Sequence, residues 1–600
     1  MKSVNFVIAF LFSGVSLFSQ THYDQPTQEK ISAFENSLSG RVIIENEGKS
    51  RLEDRMEFFH VKGLSIAVID NYQVAWAKGY GWADEAEKRP VTTETLFEPG
   101  SISKTLNAVG ILKLAQDKKL DLHTDINTYL KSWQFPYDSI AKNKKITLAQ
   151  LLSHSAGLTV HGFPGYDLQE KIPTVPQILD GIAPANTPPV RSAFEPGLKF
   201  QYSGGGTTIS QLIISDITGQ PYDAFMYDNV LKPIGMVNSF YTQPAPPEKR
   251  SLCASAYYRD GSPVPNRFHQ YPEQAAAGLW MTPTDLCQYI IATQMAYQGK
   301  PSKVVNEEMA KLMLTPYNDP NVGLGVFVEN HDNTIYFQHS AGNEGFCGIF
   351  YGSLEGGKGL AVFMNSDNFG LLPEVVNSVA SVYAWEHFYT PVYKKAVAVS
   401  DSDLPTSTGI YLFDNTWASI FKKDGSYFYS TDGITAKMYF SARDRFFNKE
   451  FQAEKTFTRD LQGNITGFLR QVGEVVHPPA TKVTRVDTLN ISKGDFNSIG
   501  WHLLENKRYA EAASYLNRGL QLYPGDLILL GNLAHCYLFD DQYAAAMDIY
   551  KAHLEETIEG NMTWKNMIEN DFIYLKRQGL DSALMDKIFA DLEMEVPAGY

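Results

Sequence analysis

A serine and a lysine one helical turn apart are the first candidates for chemistry in this chain. Ser101 and Lys104 lie in the stretch 97–106, where Pro99-Gly100 is followed at once by apolar residues at helical spacing. Residues three apart share a helix face, so the hydroxyl and the amine would point into one cleft. An amine placed there can take the serine proton and create a nucleophile. The spacing predicts acyl transfer through Ser101.

The same spacing occurs twice more, at Ser139–Lys142 and Ser419–Lys422. The first pair lies in a polar, lysine-rich connector, and the second lies in an alternating pattern that predicts a strand. Neither pair follows a Pro-Gly turn into a helix. We therefore interpret only Ser101 as a nucleophile.

Length and charge limit the classes of protein to which the chain can belong. A chain of 600 residues predicts several domains. Its net charge of -15 argues against nucleic acid or an anionic membrane as a partner. The 4 cysteines are widely spread, with no Cys-x-x-Cys or clustered histidines, so we expect no metal site and no cofactor.

The first residues have the pattern of a targeting segment. Met1-Lys2 gives a basic start, and residues 4–18 form an apolar run followed by small and polar residues. This pattern indicates a signal peptide over residues 1–20, with an uncleaved anchor as the alternative. We therefore expect an exported protein of the periplasm or cell envelope, or a secreted one.

The order of predicted elements divides the remainder of the chain. Residues 21–50 are polar and are interpreted as a loose lead-in. Residues 51–395 give strands, then helices, then strands, which predicts an α/β (α+β) domain with an antiparallel sheet and a helical lobe. Short alternating segments over 400–488 predict a small all-β barrel or sandwich. Residues 490–600 are helical.

The helical tail contains an internal repeat. Ile499, Gly500, Leu503, Ala512 and Leu516 recur 34 residues later as Leu533, Ala534, Tyr537, Ala546 and Tyr550. This period and the small residues resemble tetratricopeptide repeats. The tail would bind a protein partner or peptide, or it would only stabilise the rest of the chain.

Further motifs accompany Ser101 in the expected order along the α/β domain. They are Phe97-x-Pro99-Gly100-Ser101-x-x-Lys104, 151–158, 196–203, 231–236, 277–280 and 339–346. Together these residues resemble the serine β-lactamase-related family, which comprises class C β-lactamases, DD-peptidases and related esterases. The resemblance covers residues 51–395 and implies a β-lactamase/transpeptidase-like fold.

The resemblance also implies roles for particular residues. Ser101 would form an acyl-enzyme, and Lys104 with Tyr202 would supply the base, either as a neutral amine or through a phenolate. His339 would bind a substrate carboxylate or relay protons. The backbone N–H groups of Ser101 and Gly342 would form the oxyanion hole, with Ser340 and Ala341 beside them at the substrate.

Two positions depart from the family pattern. The family's Tyr-x-Asn motif falls by context on Tyr202-Ser203-Gly204, so its Asn is replaced by Gly204. A literal Tyr227-Asp228-Asn229 lies in a predicted helix and is interpreted as a decoy. The second departure is Ala341, where the family usually has glycine. Both changes weaken the case for turnover of β-lactams or D-alanyl-D-alanine peptides.

Two functions from different classes remain open at this point. The first is an exported serine hydrolase acting on a small-molecule or peptide ester or amide, as an esterase, D-amino-acid peptidase or β-lactamase. The second is a cell-envelope binding protein with a residual hydrolase domain, in which the repeats are the functional part. The retained Ser101, Lys104 and Tyr202 favour the hydrolase.

Overall fold

The computed structural model describes residues 23–413, 416–431, 434–559, 562–577, 579–580, 582–597 and 600 of the chain. The predicted signal peptide lies outside these residues. In the described part, a mixed α/β unit, a β-barrel and a set of helical repeats follow one another. None of the helices described there is long and apolar enough to span a bilayer.

The mixed unit contains one large sheet and one small strand pair. Its strands are β1 (Val42–Ile44), β2 (Gly63–Asp70), β3 (Gln73–Asp84), β4 (Arg89–Pro90), β5 (Phe327–His331), β6 (Thr334–Asn343), β7 (Phe346–Ser353), β8 (Gly359–Met364) and β9 (Val392–Lys394). The large sheet has 7 strands in the order β4-β3-β2-β8-β7-β6-β5. Every neighbouring pair is antiparallel, which confirms the predicted sheet.

Most helices of this unit lie between β4 and β5 and form the predicted lobe. The helices are α1 (Gln25–Glu35), α2 (Leu52–Phe58), α3 (Ile102–Gln116), α4 (Leu148–Leu152), α5 (Val175–Asp180), α6 (Gly204–Thr218), α7 (Tyr222–Met226), α8 (Lys232–Ile234), α9 (Gln274–Ala277), α10 (Pro283–Tyr297), α11 (Glu307–Leu314) and α12 (Leu372–Val382). Nearly all side chains of α3 are buried, as expected for a central helix. The sheet and the lobe therefore hold both ends of α3 in place.

Both faces of the sheet are covered, so its central strands are continuous apolar runs. In β2, Ala67 and Ile69 join the core under the helical lobe, whereas Ile66 and Val68 join the core under α12. This alternation is the two-residue period of a strand. The sheet is consequently a rigid platform whose edge can position functional groups.

Residues 21–50 were predicted to form a loose lead-in, and the structure corrects this prediction over the described residues. Helix α1 buries Ile31 and Phe34 in the core under α12, and Glu35 accepts a hydrogen bond from Lys78 of β3 at 2.6 Å. Strand β1 pairs in parallel with β9 and packs on Phe447. These contacts are long-range, so the polar composition did not reveal them.

The helix that was predicted to contain Tyr227-Asp228-Asn229 continues through Pro233. A π-helical segment, Tyr227–Leu231, joins α7 to α8, and Pro233 lies in the first turn of α8. Because the helical backbone continues from the π-helical segment, Pro233 lacks the N–H that would otherwise bond back into that segment. The turn ends at Gly235, whose φ is 107°.

The second unit is a barrel. Its strands are β10 (Gly409–Phe413), β11 (Thr416–Lys423), β12 (Ser426–Thr431), β13 (Ile434–Lys437), β14 (Tyr439–Ala442), β15 (Arg445–Phe447), β16 (Glu454–Arg459), β17 (Ile465–Val472) and β18 (Val475–Lys482). The sheet runs from β13 through β12, β11, β10, β18, β17, β16 and β15 to β14. Its two end strands are halves of one segment broken at Met438, so the sheet closes on itself. The alternating pattern did not predict β18, which contains Pro478 and Pro479.

The third unit consists of paired helices. They are α13 (Lys493–Glu505), α14 (Tyr509–Leu522), α15 (Leu527–Phe539), α16 (Tyr543–His553), α17 (Trp564–Arg577) and α18 (Ser582–Asp591), with a short strand pair, β19 (Thr557–Glu559) and β20 (Met562–Thr563), before α17. Gly500 allows the close approach that its type predicts, because a Cβ there would lie 2.6 Å from the Leu516 side chain. His502 packs on Trp417 of the barrel, with ring centroids 5.2 Å apart.

Candidate active site

Ser101 precedes the first residue of α3, at the end of a loop held against the sheet. Phe97 exchanges backbone hydrogen bonds with Met281, and Gly100 has a φ of 55°, which favours glycine. A Cβ on Gly100 would lie 2.6 Å from the Gly342 carbonyl oxygen. The turn into α3 therefore requires glycine and places Ser101 beside strand β6.

Lys104 contacts the candidate nucleophile directly. Its Nζ donates to Ser101 Oγ at 3.0 Å and to the Ala276 carbonyl oxygen, at the end of α9, at 2.7 Å. The side chain is buried, with 5% exposed, and burial lowers the pKa of Lys104 to about 7. A lysine with this pKa is neutral in a large fraction of molecules at neutral pH and can accept a proton.

Tyr202 lies over the lysine amine, just before α6. Lys104 Nζ is 5.0 Å from the centroid of the Tyr202 ring. Burial raises the pKa of Tyr202, and the nearby Ser101 hydroxyl offsets only part of this rise. Among the described residues, the buried Tyr202 hydroxyl oxygen has no partner that meets hydrogen-bond geometry. Tyr202 is thus a neutral phenol at neutral pH, and its hydroxyl is available to a bound molecule.

His154 belongs to the site, although no role for it was predicted from the sequence. Its ring lies 4.1 Å from the Tyr202 ring, centroid to centroid, and its Nδ1 accepts a hydrogen bond from the Ser203 N–H at 3.2 Å. Burial, together with the charges of Lys104 and His339, lowers the pKa of His154 far below its usual value. The sequence did contain an indication of this role, because His154 lies in the family-like motif at 151–158.

His339 faces the same cleft from β6. Its Nδ1 lies 2.6 Å from the Ser340 carbonyl oxygen, so Nδ1 carries the proton and donates it. Within the described part of the chain, the buried Nε2 has no hydrogen-bond partner. Burial and the charge of Lys104 lower the pKa of His339 to about 4. A neutral imidazole offers a lone pair to a substrate and holds no positive charge for a carboxylate.

The edge of β6 beyond His339 is free of strand pairing. The β5 pairing ends at Gln338, and Gly342 follows beside the Gly100 turn. Ala341 is buried with the core of the lobe, with 3% exposed, whereas Ser340 and Gly342 are exposed on the opposite face. The structure therefore brings Ser101, Lys104, Tyr202 and His339 together and places Gly342 next to them, while Ser340 lies outside the cleft.

The space beside Gly204, where a side chain would lie, is filled by another part of the chain. A Cβ on Gly204 would lie 2.9 Å from Phe163 Cε2 and 3.2 Å from the His161 carbonyl oxygen. His161 Nδ1 also lies 2.6 Å from the Tyr202 carbonyl oxygen. The loop before α5 thus occupies the space into which the family's Asn side chain would project.

The motif interpreted as a decoy lies apart from this cluster. Tyr227 belongs to the π-helical segment and packs against the lobe core, and Asn229 Nδ2 donates to the Phe225 carbonyl oxygen of α7 at 3.0 Å. The other two Ser-x-x-Lys pairs lie on a 3₁₀ turn and on barrel strand β11.

An antiparallel sheet with a helical lobe and Ser-x-x-Lys at the start of the central helix defines a β-lactamase/transpeptidase-like protein. A family model described as Beta-lactamase matches residues 49–376, and a Tetratricopeptide repeat model matches residues 503–557. The chain belongs to the beta-lactamase family and carries tetratricopeptide repeats in its tail.

Individual relatives are distant. Protein flp of Staphylococcus aureus strain MRSA252 is 25% identical over 318 residues, which cover 52% of this chain and 61% of that protein. The structure of the octameric penicillin-binding protein homologue from Pyrococcus abyssi is similar in fold, with 18% sequence identity and a TM-score of 0.48. The match covers 72% of this chain and 98% of that protein's chain. The structure of the D-amino acid amidase from Ochrobactrum anthropi SV3 is also similar, with 21% sequence identity and a TM-score of 0.47. That match covers 59% of this chain and 99% of the amidase chain.

Proposed function

We propose that this protein is an exported serine hydrolase that cleaves an ester or amide through an acyl-enzyme on Ser101. One observation carries the proposal: Lys104 Nζ lies 3.0 Å from Ser101 Oγ and its pKa is about 7. An unpaired surface lysine would stay protonated and would be a poor base. Here burial supplies a neutral amine in contact with the hydroxyl that it must deprotonate.

Acylation follows from these contacts. Lys104 takes the Ser101 proton as Oγ attacks the substrate carbonyl carbon, and the carbonyl oxygen gains the negative charge. The N–H groups of Ser101 and Gly342 stabilise that charge, aided by the start of α3. The bond to the leaving group then breaks, and the leaving atom receives the proton from Lys104 through the Tyr202 hydroxyl.

Deacylation reverses the proton path. Water attacks the acyl carbonyl carbon, its proton passes through Tyr202 to Lys104, and Ser101 Oγ recovers a proton as the acid departs. In this scheme Tyr202 acts as a neutral relay, not as a phenolate, because burial raises its pKa. His154 holds the Tyr202 ring from behind, and His339 Nε2 accepts a hydrogen bond from the substrate.

The substrate class is narrowed by Gly204. The amide side chain that would contact a β-lactam or peptide acyl group is absent, and Phe163 fills its space. This arrangement favours esterase-like substrates with a small or apolar acyl group over β-lactams. The helical repeats would bring a protein partner to the enzyme, and the pattern of residues 1–20 supports export to the periplasm or cell envelope.

The test compares two reagents that modify an activated serine covalently, a fluorophosphonate and benzylpenicillin, on the mature protein. A fluorophosphonate should add one covalent equivalent to the wild type and none to Ser101→Ala, as measured by intact mass. Benzylpenicillin should give little or no stable adduct if the pocket is esterase-like. A long-lived penicilloyl adduct would move the substrate class toward peptidoglycan peptides. Absence of both adducts on folded protein would refute the hydrolase and favour the binding protein.

A further inference from the structure

Five aromatic side chains form a closed circuit beside the candidate nucleophile. They are, in order around the circuit, Tyr202, His154, Phe200, Phe327 and His339. Neighbouring ring centroids are 4.1, 6.1, 6.3, 5.2 and 6.3 Å apart, and the last distance joins His339 back to Tyr202. Rings at such distances are in contact. Because Tyr202 and His339 line the cleft, the circuit brings Phe200 and Phe327 to the same cleft.

The two phenylalanines are not explained by packing in a hydrophobic core. Phe163, which is also half-buried, packs against the core of the lobe. Phe200 and Phe327 are half-buried as well, but neither joins a core cluster of the described residues. In the described part of the chain, their ring contacts are with each other and with the two histidines. Part of each ring therefore remains available to another molecule.

Two separate elements carry this pair of rings. Phe200 lies in the loop that leads through Tyr202 to α6. Phe327 is the first residue of β5, and its partner across the strands is Gln338, next to His339. The pair thus lies where β5 ends and the edge of β6 becomes free.

The surroundings of the pair favour an uncharged ligand with a ring. Aromatic rings gain energy from a second ring packed edge-to-face or offset. Burial and the charge of Lys104 lower the pKa of His339 to about 4, and burial holds the pKa of His154 far below its usual value. Neither imidazole carries a positive charge at neutral pH. A carboxylate bound against this pair would therefore lose its water without gaining a counterion.

The proposed proton path indicates which part of a substrate reaches the pair. The leaving atom receives its proton through the Tyr202 hydroxyl, so that atom lies beside Tyr202. The next rings in the circuit are His154 and His339, and Phe200 and Phe327 follow them. We propose that Phe200 and Phe327 form a subsite for an uncharged aromatic leaving group, an inference that rests on the proposed hydrolase function.

Two isomeric esters test the inference because they carry the same ring on opposite sides of the ester bond. Benzyl acetate has its ring on the leaving group, and methyl phenylacetate has its ring on the acyl group. Phe327→Ala should lower kcat/KM about tenfold for benzyl acetate, mainly through KM, and less than about twofold for methyl phenylacetate. Phe200→Ala should show the same pattern. Phe58→Ala, which removes an exposed ring at the end of α2, is the control and should change neither value.

Each other pattern contradicts the subsite. An equal loss for both isomers would show that Phe327 only supports the histidines. A loss confined to methyl phenylacetate would assign the rings to the acyl group, and no loss for either isomer would leave them without a role in binding.

The charge of the leaving group has its own test. The wild type should cleave 4-carboxybenzyl acetate at least about tenfold less efficiently than benzyl acetate at neutral pH. Phe327→Arg supplies the missing counterion and should remove most of this difference. Equal kcat/KM of the wild type for the two esters would overturn the preference for an uncharged group.

Binding without turnover separates the subsite from the hydrolase. Ser101→Ala cannot form the acyl-enzyme, so benzyl acetate stays intact and its affinity can be measured by NMR titration. This affinity should fall about tenfold in Ser101→Ala/Phe327→Ala and stay unchanged in Ser101→Ala/Phe58→Ala. Inertness of the wild type to both isomers, with this binding pattern preserved, would refute the hydrolase alone. An affinity that Phe327→Ala leaves unchanged would refute the subsite alone.

Discussion

The ring of Phe163 occupies the space into which any side chain at position 204 would project, with only 2.9 Å between Phe163 Cε2 and a Cβ on Gly204. Glycine at this position is therefore matched to the loop that covers it. The absence of an Asn side chain and the presence of the Phe163 ring are therefore structurally coupled.

We expect the protein to tolerate Asn at position 204 only when the Phe163 ring is removed as well. Gly204→Asn must displace Phe163 and should destabilise the protein by about 1–3 kcal/mol. The double variant Gly204→Asn/Phe163→Ala should recover stability and form a penicilloyl adduct measurable by intact mass. Gly162→Asn is the control, since a Cβ there has no atom within 4 Å. Equal stability of Gly204→Asn and Gly162→Asn would contradict this account.

His154 is expected to act by positioning Tyr202. His154→Ala removes the ring packed 4.1 Å from Tyr202 and the acceptor for the Ser203 N–H. We expect kcat for phenyl acetate to fall roughly 10- to 100-fold with a smaller change in KM, because misplacement slows proton transfer. His154→Asn keeps an acceptor and tolerates the positive φ of 55°, so it should retain more activity. Equal kcat in the wild type and His154→Ala would refute the positioning role.

Glu273, one residue before α9, should make the fold less stable as the pH rises. Burial raises the pKa of Glu273 to about 8, and neither carboxyl oxygen has a partner among the described residues. Between the ordinary glutamate pKa and pH 8, the folded state binds a proton that the unfolded state has lost, so unfolding becomes easier with rising pH. Glu273→Gln should remove this slope.

Thermal unfolding of Glu273→Gln and the wild type at pH 5 and pH 8 measures the effect. The midpoint difference in favour of the variant should be several degrees larger at pH 8. The exposed Glu248→Gln should show no such difference. A wild-type midpoint that rises between these pH values relative to Glu273→Gln would contradict the burial argument.

The nucleophile could be predicted from sequence because its position depends on local signals. The Pro-Gly turn, the apolar period of α3 and the spacing of Lys104 lie within one short stretch. Tyr202 was identified by its lead-in at 196–203. Helix α6 begins at Gly204, where Ser203 Oγ accepts a hydrogen bond from the Gly206 N–H and Val190 lies against Gly205. The three glycines at 204–206 allow close packing at the start of this helix, whereas composition alone would predict a loop.

Features that depend on long-range contacts were not predictable. The packing of His154 on Tyr202 and of Phe163 on Gly204 joins segments that are about 40 to 50 residues apart in sequence. The pKa values of Lys104 and His339 follow from burial, which no motif records.

The most direct test of the central claim is the pH dependence of fluorophosphonate labelling of Ser101, followed by intact mass. Neutral Lys104 is the base, and its pKa is about 7, so the labelling rate of the wild type should rise with pH to a plateau, with a midpoint near that value. Lys104→Met should be labelled at least about a hundredfold more slowly and without this midpoint. A wild-type rate that is flat from pH 5 to pH 9, or an unchanged profile in Lys104→Met, would show that Lys104 does not activate Ser101.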